Sequence, residues 1–139
     1  MRIMGLDVGS KTVGVAISDE LHLIAQALVT IRRSTHTSTL ARLRGLAEEH
    51  AVERIVVGLP LHMNGTEGRE AGNAREFGQS VAAALGQPVE FWDERLSTVA
   101  AERVLLEGNV SRQKRKQVID HLAAAIILQG WLDAHQSEP

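Results

Sequence analysis

The spacing of apolar positions along this chain alternates between the short period of strands and the longer period of helices. Residues 2–8 (RIMGLDV) and 12–18 (TVGVAIS) are short apolar runs on either side of a Gly-Ser-Lys turn, which predicts two strands in a hairpin. Residues 24–32 predict a third strand of the same meander. From His36 to His50 the apolar residues recur at helical spacing, and their stripe consists of Leu40, Leu43, Leu46 and Ala47.

Two further strands follow, with a helix between them. Residues 54–58 form a short, continuously apolar run, which is typical of a strand buried on both faces. A long loop, residues 59–69, separates this strand from the helix. The apolar stripe of that helix consists of Ala74, Phe77, Val81 and Leu85. Residues 88–92 predict the next strand.

Two more helices are predicted toward the carboxyl terminus. Ser97 or Thr98 can cap a helix that runs to about Glu107. The last helix begins in the basic run 112–116 and ends at about His135. Its predicted apolar stripe consists of Ile119, Leu122, Ala123, Ile126 and Ile127.

This order of elements predicts an α/β fold. A three-stranded meander followed by helix–strand units implies a mixed sheet with helices on its faces. The 139 residues are one domain's length, so we expect residues 1–139 to fold as a single domain with a frayed tail at 136–139.

Composition excludes several classes of protein. The chain has no cysteine, which rules out disulfide scaffolds, thiolate zinc sites and thiol catalysis. Aromatic residues make up 3% of the chain, too few for a module that stacks bases on aromatic platforms. The net charge of −2 gives no overall attraction to nucleic acid or to anionic membranes. No apolar run is long enough for a signal peptide or a membrane helix, so we expect a cytoplasmic protein.

Acidic residues at three places in the sequence are poorly explained by the fold alone. Asp7 lies in an otherwise apolar strand, where a carboxylate is costly unless it is paired; alternatively, it caps the turn that follows. Asp93 and Glu94 lie at the end of a strand, where α/β sheets present side chains to ligands. Alternatively, they are surface acids whose negative charge stabilises the start of the next helix. Asp120 falls on the small-residue side of the last helix, unless it only pairs with Lys116. Because buried carboxylates concentrate at functional sites, we favour a shared site.

The ligand types at this site indicate a metal. Carboxylates without cysteine or a His-x-x-His pair suit Mg²⁺ or Mn²⁺ rather than zinc. Such clusters commonly hold two ions that activate water and stabilise the leaving oxygen during phosphodiester cleavage. The sequence therefore favours a metal-dependent nuclease.

Basic and loop residues supply candidate contacts to a nucleic acid. Lys11 and Arg95 flank two of the acids, and a basic run precedes Asp120, although such runs are often only solvated helix faces. The loop 59–69 is long enough to cover a substrate, although it is also explained as a plain connection. We interpret His121 as structural or peripheral. The candidate substrate-binding residues are Lys11, Arg95, His62, Asn64, Lys114 and Lys116.

Four segments, in order, resemble the YqgF (RuvX) family of bacterial RNase H-like nucleases. They are GLDVGSKTVGVAISD (5–19), VVGLPLHMNGTEG (56–68), DERLSTVAAE (93–102) and KQVIDHLAAAIILQ (116–129). Together they span essentially the whole chain. The resemblance implies an RNase H-like fold with a five-stranded mixed sheet, and a divalent-metal site formed by Asp7, Glu94 and Asp120. Asn64 and Ser97 stand where Asp and Thr are common in the family, and both lie outside this trio.

The resemblance also implies a function, which is maturation of the 5′ end of the 16S rRNA precursor, with the ribosomal subunit precursor as a partner. The alternative is a Holliday junction resolvase, which makes two symmetric cuts and therefore requires a homodimer rather than a monomer. A non-enzyme alternative is a catalytically silent factor that binds ribosomes or nucleic acid, although the acidic trio would repel phosphates. The Asp-x-Gly-x-Lys-Thr motif near the start of the chain also resembles the opening motif of actin-like ATPases and sugar kinases. Those proteins bind nucleotide between two such domains and therefore need well over twice this length.

Overall fold

The computed structural model describes residues 1–95 and 112–136, with the side chains of residues 1–95 and 122–136. The predicted helix from Ser97 or Thr98 to Glu107 lies outside the described residues. The elements are β1 (Arg2–Val8), β2 (Thr12–Ser18), β3 (Ala25–Arg32), α1 (His36–Glu49), β4 (Val52–Leu59), α2 (Arg69–Leu85), β5 (Val89–Asp93) and α3 (Arg112–His135).

The strands form the mixed, five-stranded sheet that was expected. Their order is β3-β2-β1-β4-β5, with β2 antiparallel to both β1 and β3, and with β4 parallel to both β1 and β5. The strands β1, β3, β4 and β5 therefore run in one direction, and all four end at the same side of the sheet. We call this side the carboxyl end of the sheet.

Helices cover both faces of the sheet. On one face, β-strand residues such as Met4, Leu6 and Val57 pack with Leu43 of α1 and Phe77 of α2. On the other face, which we call the α3 face, α3 packs on the sheet. The buried apolar residues there are Ile3, Ala16 and Val56 with Ala124, Ala125, Ile127, Leu128, Trp131 and Leu132.

Three glycines of the sheet face α3, and two of them allow it to lie close to the sheet. A Cβ atom at Gly5 would be 2.7 Å from the Cβ of Leu128, and one at Gly58 would be 2.5 Å from Cδ1 of Ile127. A Cβ atom at Gly14 would be 3.6 Å from the Cβ of Ala124, which is ordinary contact. The close approach therefore depends on Gly5 and Gly58 having no side chain.

The buried face of α3 differs from the predicted stripe. Ile127 is buried as expected, but Leu122, Ala123 and Ile126 are only half-buried, and the side chain of Ile119 lies outside the described residues. The stripe was wrong because apolar residues surround this helix almost completely, so their pattern does not define which side faces the sheet. The glycine-lined surface decides it instead, by admitting Ala124 and Leu128 at close range.

The remaining boundaries agree closely with the sequence. The strand predicted at 54–58 begins at Val52, which pairs with Arg2 of β1, and ends at Leu59, which pairs with Asp93 of β5. Helix α1 begins with a capping box in which the Thr35 side chain accepts a hydrogen bond from the Ser38 N–H. Within the described residues, no helix is long and apolar enough to span a membrane.

Candidate active site

Asp7 and Glu94 lie together at the carboxyl end of the sheet, on the α3 face. Asp7 is the penultimate residue of β1, is half-buried, and pairs with Gly14 of β2. Glu94 directly follows β5, and its N–H donates to the Leu59 carbonyl at 3.4 Å. The pairing of β1 with β4 and of β4 with β5 thus brings together two acids, Asp7 and Glu94, that are 87 positions apart in the sequence.

Gly58 of β4 separates the two carboxylates. Leu6 pairs with Val57, so Asp7 and Gly58 are the next positions along β1 and β4, and Gly58 itself pairs with Trp92 of β5. A Cβ atom at Gly58 would be 2.6 Å from Oε2 of Glu94. The Glu94 carboxylate therefore occupies space that any other residue at position 58 would fill.

The charges of the two acids are coupled. Burial, followed in importance by the negative charges of Asp7, Asp93 and Glu70, raises the pKa of Glu94 from 4.5 to about 7. Ionised Glu94 is thus disfavoured in a protein without a bound cation. A cation placed between the two carboxylates would relieve both the burial cost and the repulsion.

This electrostatic cost predicts a pH dependence of stability. The native state holds a proton on Glu94 more tightly than the unfolded chain does, so this contribution to stability is complete below pH 4.5 and is lost as the pH rises through about 7. Without metal, Glu94→Gln is therefore expected to melt at a higher temperature than the wild type at pH 8, with little difference at pH 4. Thermal melting in a chelator tests this, with the exposed Glu49→Gln as the matched control for a lost charge. Equal melting temperatures at pH 8 would contradict the assignment.

Asp93 and Glu94 play different parts, although they are adjacent. Side chains alternate between the faces of a strand, so Asp93 points away from the α3 face. Both oxygens of Asp93 accept from Arg95, with Nε at 3.0 Å from each and Nη2 at 2.6 Å from Oδ2. This pair lowers the pKa of Asp93 and raises the pKa of Arg95. Of the two acids, only Glu94 is directed to the site.

Arg95 also holds the loop 60–68 beside Glu94. Its Nη1 donates to the carbonyls of His62 at 3.4 Å and Met63 at 3.2 Å. Its guanidinium is thus committed to Asp93 and to the loop backbone. Direct contact between Arg95 and a substrate would have to break these bonds.

The loop is folded around the two residues predicted to contact substrate. Asn64 accepts hydrogen bonds through Oδ1 from the Thr66 N–H at 3.1 Å and the Thr66 hydroxyl at 2.7 Å. The His62 ring packs on Gly68, where a Cβ atom would lie 2.3 Å from Nε2. Met63, at the tip between them, is 91% exposed. His62 and Asn64 therefore shape the loop, and its most exposed large apolar side chain is that of Met63.

The other predicted site residues lie on neighbouring elements. Lys11 is exposed in the turn between β1 and β2. Lys114, Lys116, Asp120 and His121 lie in α3, and their side chains are outside the described residues. Position 120 is four residues, about one helical turn, before the buried Ala124. Among the side chains that are described, no group of three or more histidine, aspartate or glutamate residues could hold a metal ion.

Sequence reasoning missed the glycines. Gly5 and Gly58 were assigned only to their strands, yet they allow α3 to approach the sheet, and Gly58 also leaves space for Glu94. Gly5 is two residues before Asp7, so strand alternation placed it on the same face. A glycine inside a strand, on the same face as an acid, was the signal in the sequence that could have indicated this close approach.

The chain is similar in sequence to known proteins. Residues 1–134 match the family model described as "RuvX: Holliday junction resolvase". A Myxococcus xanthus (strain DK1622) protein named "Putative pre-16S rRNA nuclease" is 57% identical over 136 residues, covering 98% of this chain and 90% of that protein. A Symbiobacterium thermophilum protein of the same name is 59% identical over 139 residues, covering 100% and 96%.

A solved structure shares the fold. The structure described as T. thermophilus RuvC in complex with a Holliday junction substrate matches with a TM-score of 0.63 and 20% sequence identity, covering 99% of this chain and 97% of that one. The mixed sheet flanked by helices is therefore an RNase H-like fold, as the sequence segments implied.

Proposed function

The chain belongs to the RuvX family, and from this membership we propose that it is a divalent-metal-dependent nuclease that matures the 5′ end of the 16S rRNA precursor. The observation that carries the proposal is the pair of carboxylates, Asp7 and Glu94, that converge across Gly58 at the carboxyl end of the sheet. Loops at this end of α/β sheets commonly form ligand sites.

The donor set fits a hard cation. Carboxylate oxygens are the ligands that Mg²⁺ and Mn²⁺ prefer, and the raised pKa of Glu94 shows that this site disfavours negative charge when no cation is bound. We propose that Asp7, Glu94 and Asp120 hold two such ions. Bound there, the ions would supply activation of water and neutralisation of charge on the phosphodiester group.

The residues of the chain itself bind and orient the substrate. Lys11, Lys114 and Lys116 provide positive charge on either side of the acids in the sequence, which offsets their repulsion of a phosphate backbone. Arg95 acts through the loop 60–68, because it fixes the loop backbone to the strand that carries Glu94. His62 and Asn64 act by keeping the shape of that loop.

Two substrates compete within this proposal. The relatives at 57% and 59% identity are named for pre-16S rRNA, which favours the RNA precursor, a ribosomal subunit precursor as partner, and action in the cytoplasm. The family description favours a four-way DNA junction. A catalytically silent binding factor is disfavoured, because the carboxylates of Asp7 and Glu94 repel the phosphate groups of a nucleic acid unless a bound cation neutralises them.

The test compares both substrates directly. We expect purified protein in Mg²⁺ or Mn²⁺ to cleave a fragment that spans the 5′ leader of 16S rRNA and to leave a four-way DNA junction intact. Asp7→Asn protein, purified in parallel, controls for contaminating nuclease. Paired symmetric nicks in the junction would replace the RNA assignment with resolution, and would be accompanied by a homodimer in solution. If the wild type and Asp7→Asn cleave equally, the assignment of the site fails.

A further inference from the structure

A second polar cleft opens at the carboxyl end of the sheet, on the face covered by α1 and α2. It has a volume of about 620 Å³ and lies between the β1–β2 turn, the segment that joins β3 to α1, and one side of α2. Its principal polar residues are Ser10, Arg33, His36, Asn73, Glu76 and Ser80. None of these residues belongs to the carboxylate site.

Arg33 is held in this cleft by contacts that leave its charge uncompensated. Its N–H donates to the Lys11 carbonyl at 2.8 Å, and its Nη1 donates to the Gly9 carbonyl at 2.7 Å. Its guanidinium carbon lies 4.8 Å from the centre of the Phe77 ring, a cation–π contact. Among the described residues, the side chain is thus fixed without an acidic partner.

Arg33 differs from the other arginines in the described part of the chain. Four of them form an ion pair with an aspartate or glutamate, namely Arg2, Arg54, Arg75 and Arg95. The others, Arg32, Arg42, Arg44 and Arg69, are exposed, whereas Arg33 is half-buried. Arg33 forms no ion pair with a described residue, although Glu76 also lines the cleft. Arg33 is a half-buried residue whose guanidinium is fixed in place and has no ion pair with a described residue. Such a group is suited to bind an anion, because its planar donors match a phosphate group.

The cleft is also close to the candidate active site. The β1–β2 turn begins two residues after Asp7, and Ser10 of that turn lines the cleft. Ser10 is three residues after Asp7, and three extended residues span at most about 11 Å. A nucleic-acid strand bound at Asp7 would therefore reach the cleft within a few nucleotides. At the start of α1, the Ser38 N–H donates to the Thr35 hydroxyl and the Thr35 N–H donates to the Ser38 hydroxyl, so both groups are already used within the capping box. The anion site therefore rests on the side chains of the cleft and not on the helix end.

We propose that this cleft binds a phosphodiester group of the substrate strand at a position flanking the cleavage site, with Arg33 as its main ligand. The ring of His36, which meets Phe77 edge-on at a centroid distance of 6.1 Å, and the exposed amide of Asn73 form the adjacent walls. The identity of the ligand as a nucleic-acid strand rests on the proposed function. The location of the anion site rests on the cleft itself.

The test places a negative charge in the cleft without removing any of the contacts that hold it. Asn73 and Gln79 are both exposed on α2, but only Asn73 lines the cleft. In the Asp7→Asn background, where binding is measured without cleavage, Asn73→Asp is expected to weaken binding of the rRNA leader fragment about tenfold. Gln79→Glu carries the same charge change and is expected to have less than about a twofold effect, because solvent screens it.

A second pair of variants measures the contact itself. Arg33→Gln is expected to reduce the slope of log K against log salt by about 0.7 to 0.9, the loss of one phosphate contact. Its neighbour Arg32 is exposed on β3, and Arg32→Gln is expected to leave the slope unchanged. Equal binding by Asn73→Asp and Gln79→Glu, or equal slopes for Arg33→Gln and Arg32→Gln, would overturn the cleft assignment.

Two further outcomes keep the proposals separable. If Asp7→Asn abolishes cleavage while all cleft variants bind normally, the nuclease assignment stands and the cleft assignment falls. Inorganic phosphate alone is expected to leave the melting temperature of the wild type unchanged. A phosphate-dependent rise that Asn73→Asp removes, without any change in RNA binding, would make the cleft a site for free anions and overturn its role in substrate binding.

Discussion

Asp7→Asn is expected to lower metal-dependent cleavage at least about 100-fold, because a ligand that helps to hold the ions supplies several kcal/mol of charge stabilisation in the transition state. Its fold is expected to survive. The charge of Asp7 raises the pKa of Glu94, so its removal lowers the cost of ionised Glu94 in the metal-free protein. The melting temperature at pH 8 in a chelator should therefore stay the same or rise. Cleavage time courses and thermal melting of the same preparations measure both effects.

A carboxylate at the opposite end of the sheet provides the control. Asp19 follows β2 and accepts hydrogen bonds through Oδ1 from the N–H groups of Leu23 at 2.7 Å and Ile24 at 3.0 Å. Asp19→Asn is expected to lower the melting temperature, because charge-assisted bonds become weaker neutral ones, and to leave cleavage unchanged. If Asp7→Asn also lost stability and kept its cleavage rate, Asp7 would be a structural residue rather than a metal ligand.

Gly58→Ala is expected to have the second largest effect. The added Cβ atom would lie 2.5 Å from Cδ1 of Ile127 and 2.6 Å from Oε2 of Glu94, so both side chains must move by about 1 Å to reach ordinary contact. Overpacking of this kind costs about 1–3 kcal/mol of unfolding free energy. Because Glu94 is proposed to hold the metal ions, its displacement by about 1 Å is expected to lower cleavage about 100-fold. Denaturant unfolding and initial cleavage rates measure the two losses separately.

Two comparisons separate the effect on the fold from the effect on the site. Gly14→Ala adds a Cβ atom at 3.6 Å from Ala124 and Asp7, an ordinary contact distance, and should be tolerated. Ile127→Val removes the methyl group that the new Cβ atom of Gly58→Ala would strike. The double variant Gly58→Ala with Ile127→Val should therefore regain part of the lost stability without regaining cleavage. Recovery of both would show that crowding of α3, rather than of Glu94, caused the loss.

The sequence predicted most strands and helices because local patterns decide them. The hairpin of β1 and β2 follows from two apolar runs around a short turn, and its bounds were correct at residues 2–8 and 12–18. Helix α1 follows from its apolar stripe and begins at the predicted His36. Pairing with neighbours moved the other strand bounds by one or two residues, since a ladder extends wherever a partner is available.

The orientation of α3 could not be predicted from its own residues. Its amphipathic signal is weak, so the predicted stripe included the half-buried Leu122, Ala123 and Ile126. The sheet surface selects the face through Gly5 and Gly58, which lie far from α3 in the sequence. The contact depends on two surfaces that fit together, and a pattern within one segment does not contain that information.

The sequence by itself determined the succession of strands and helices along the chain, the absence of cysteine chemistry, and the choice of Asp7, Asp93 and Glu94 as candidate site acids. Only the tertiary structure decided how such residues are used. It separated Asp93 from Glu94, assigned Arg95 to the loop backbone, and made Gly58 the gap across which the carboxylates converge. The physical reason is that residue types and local periods are properties of one segment, whereas the pKa of Glu94 and the fit at Gly58 arise from β1, β4, β5 and α3 together.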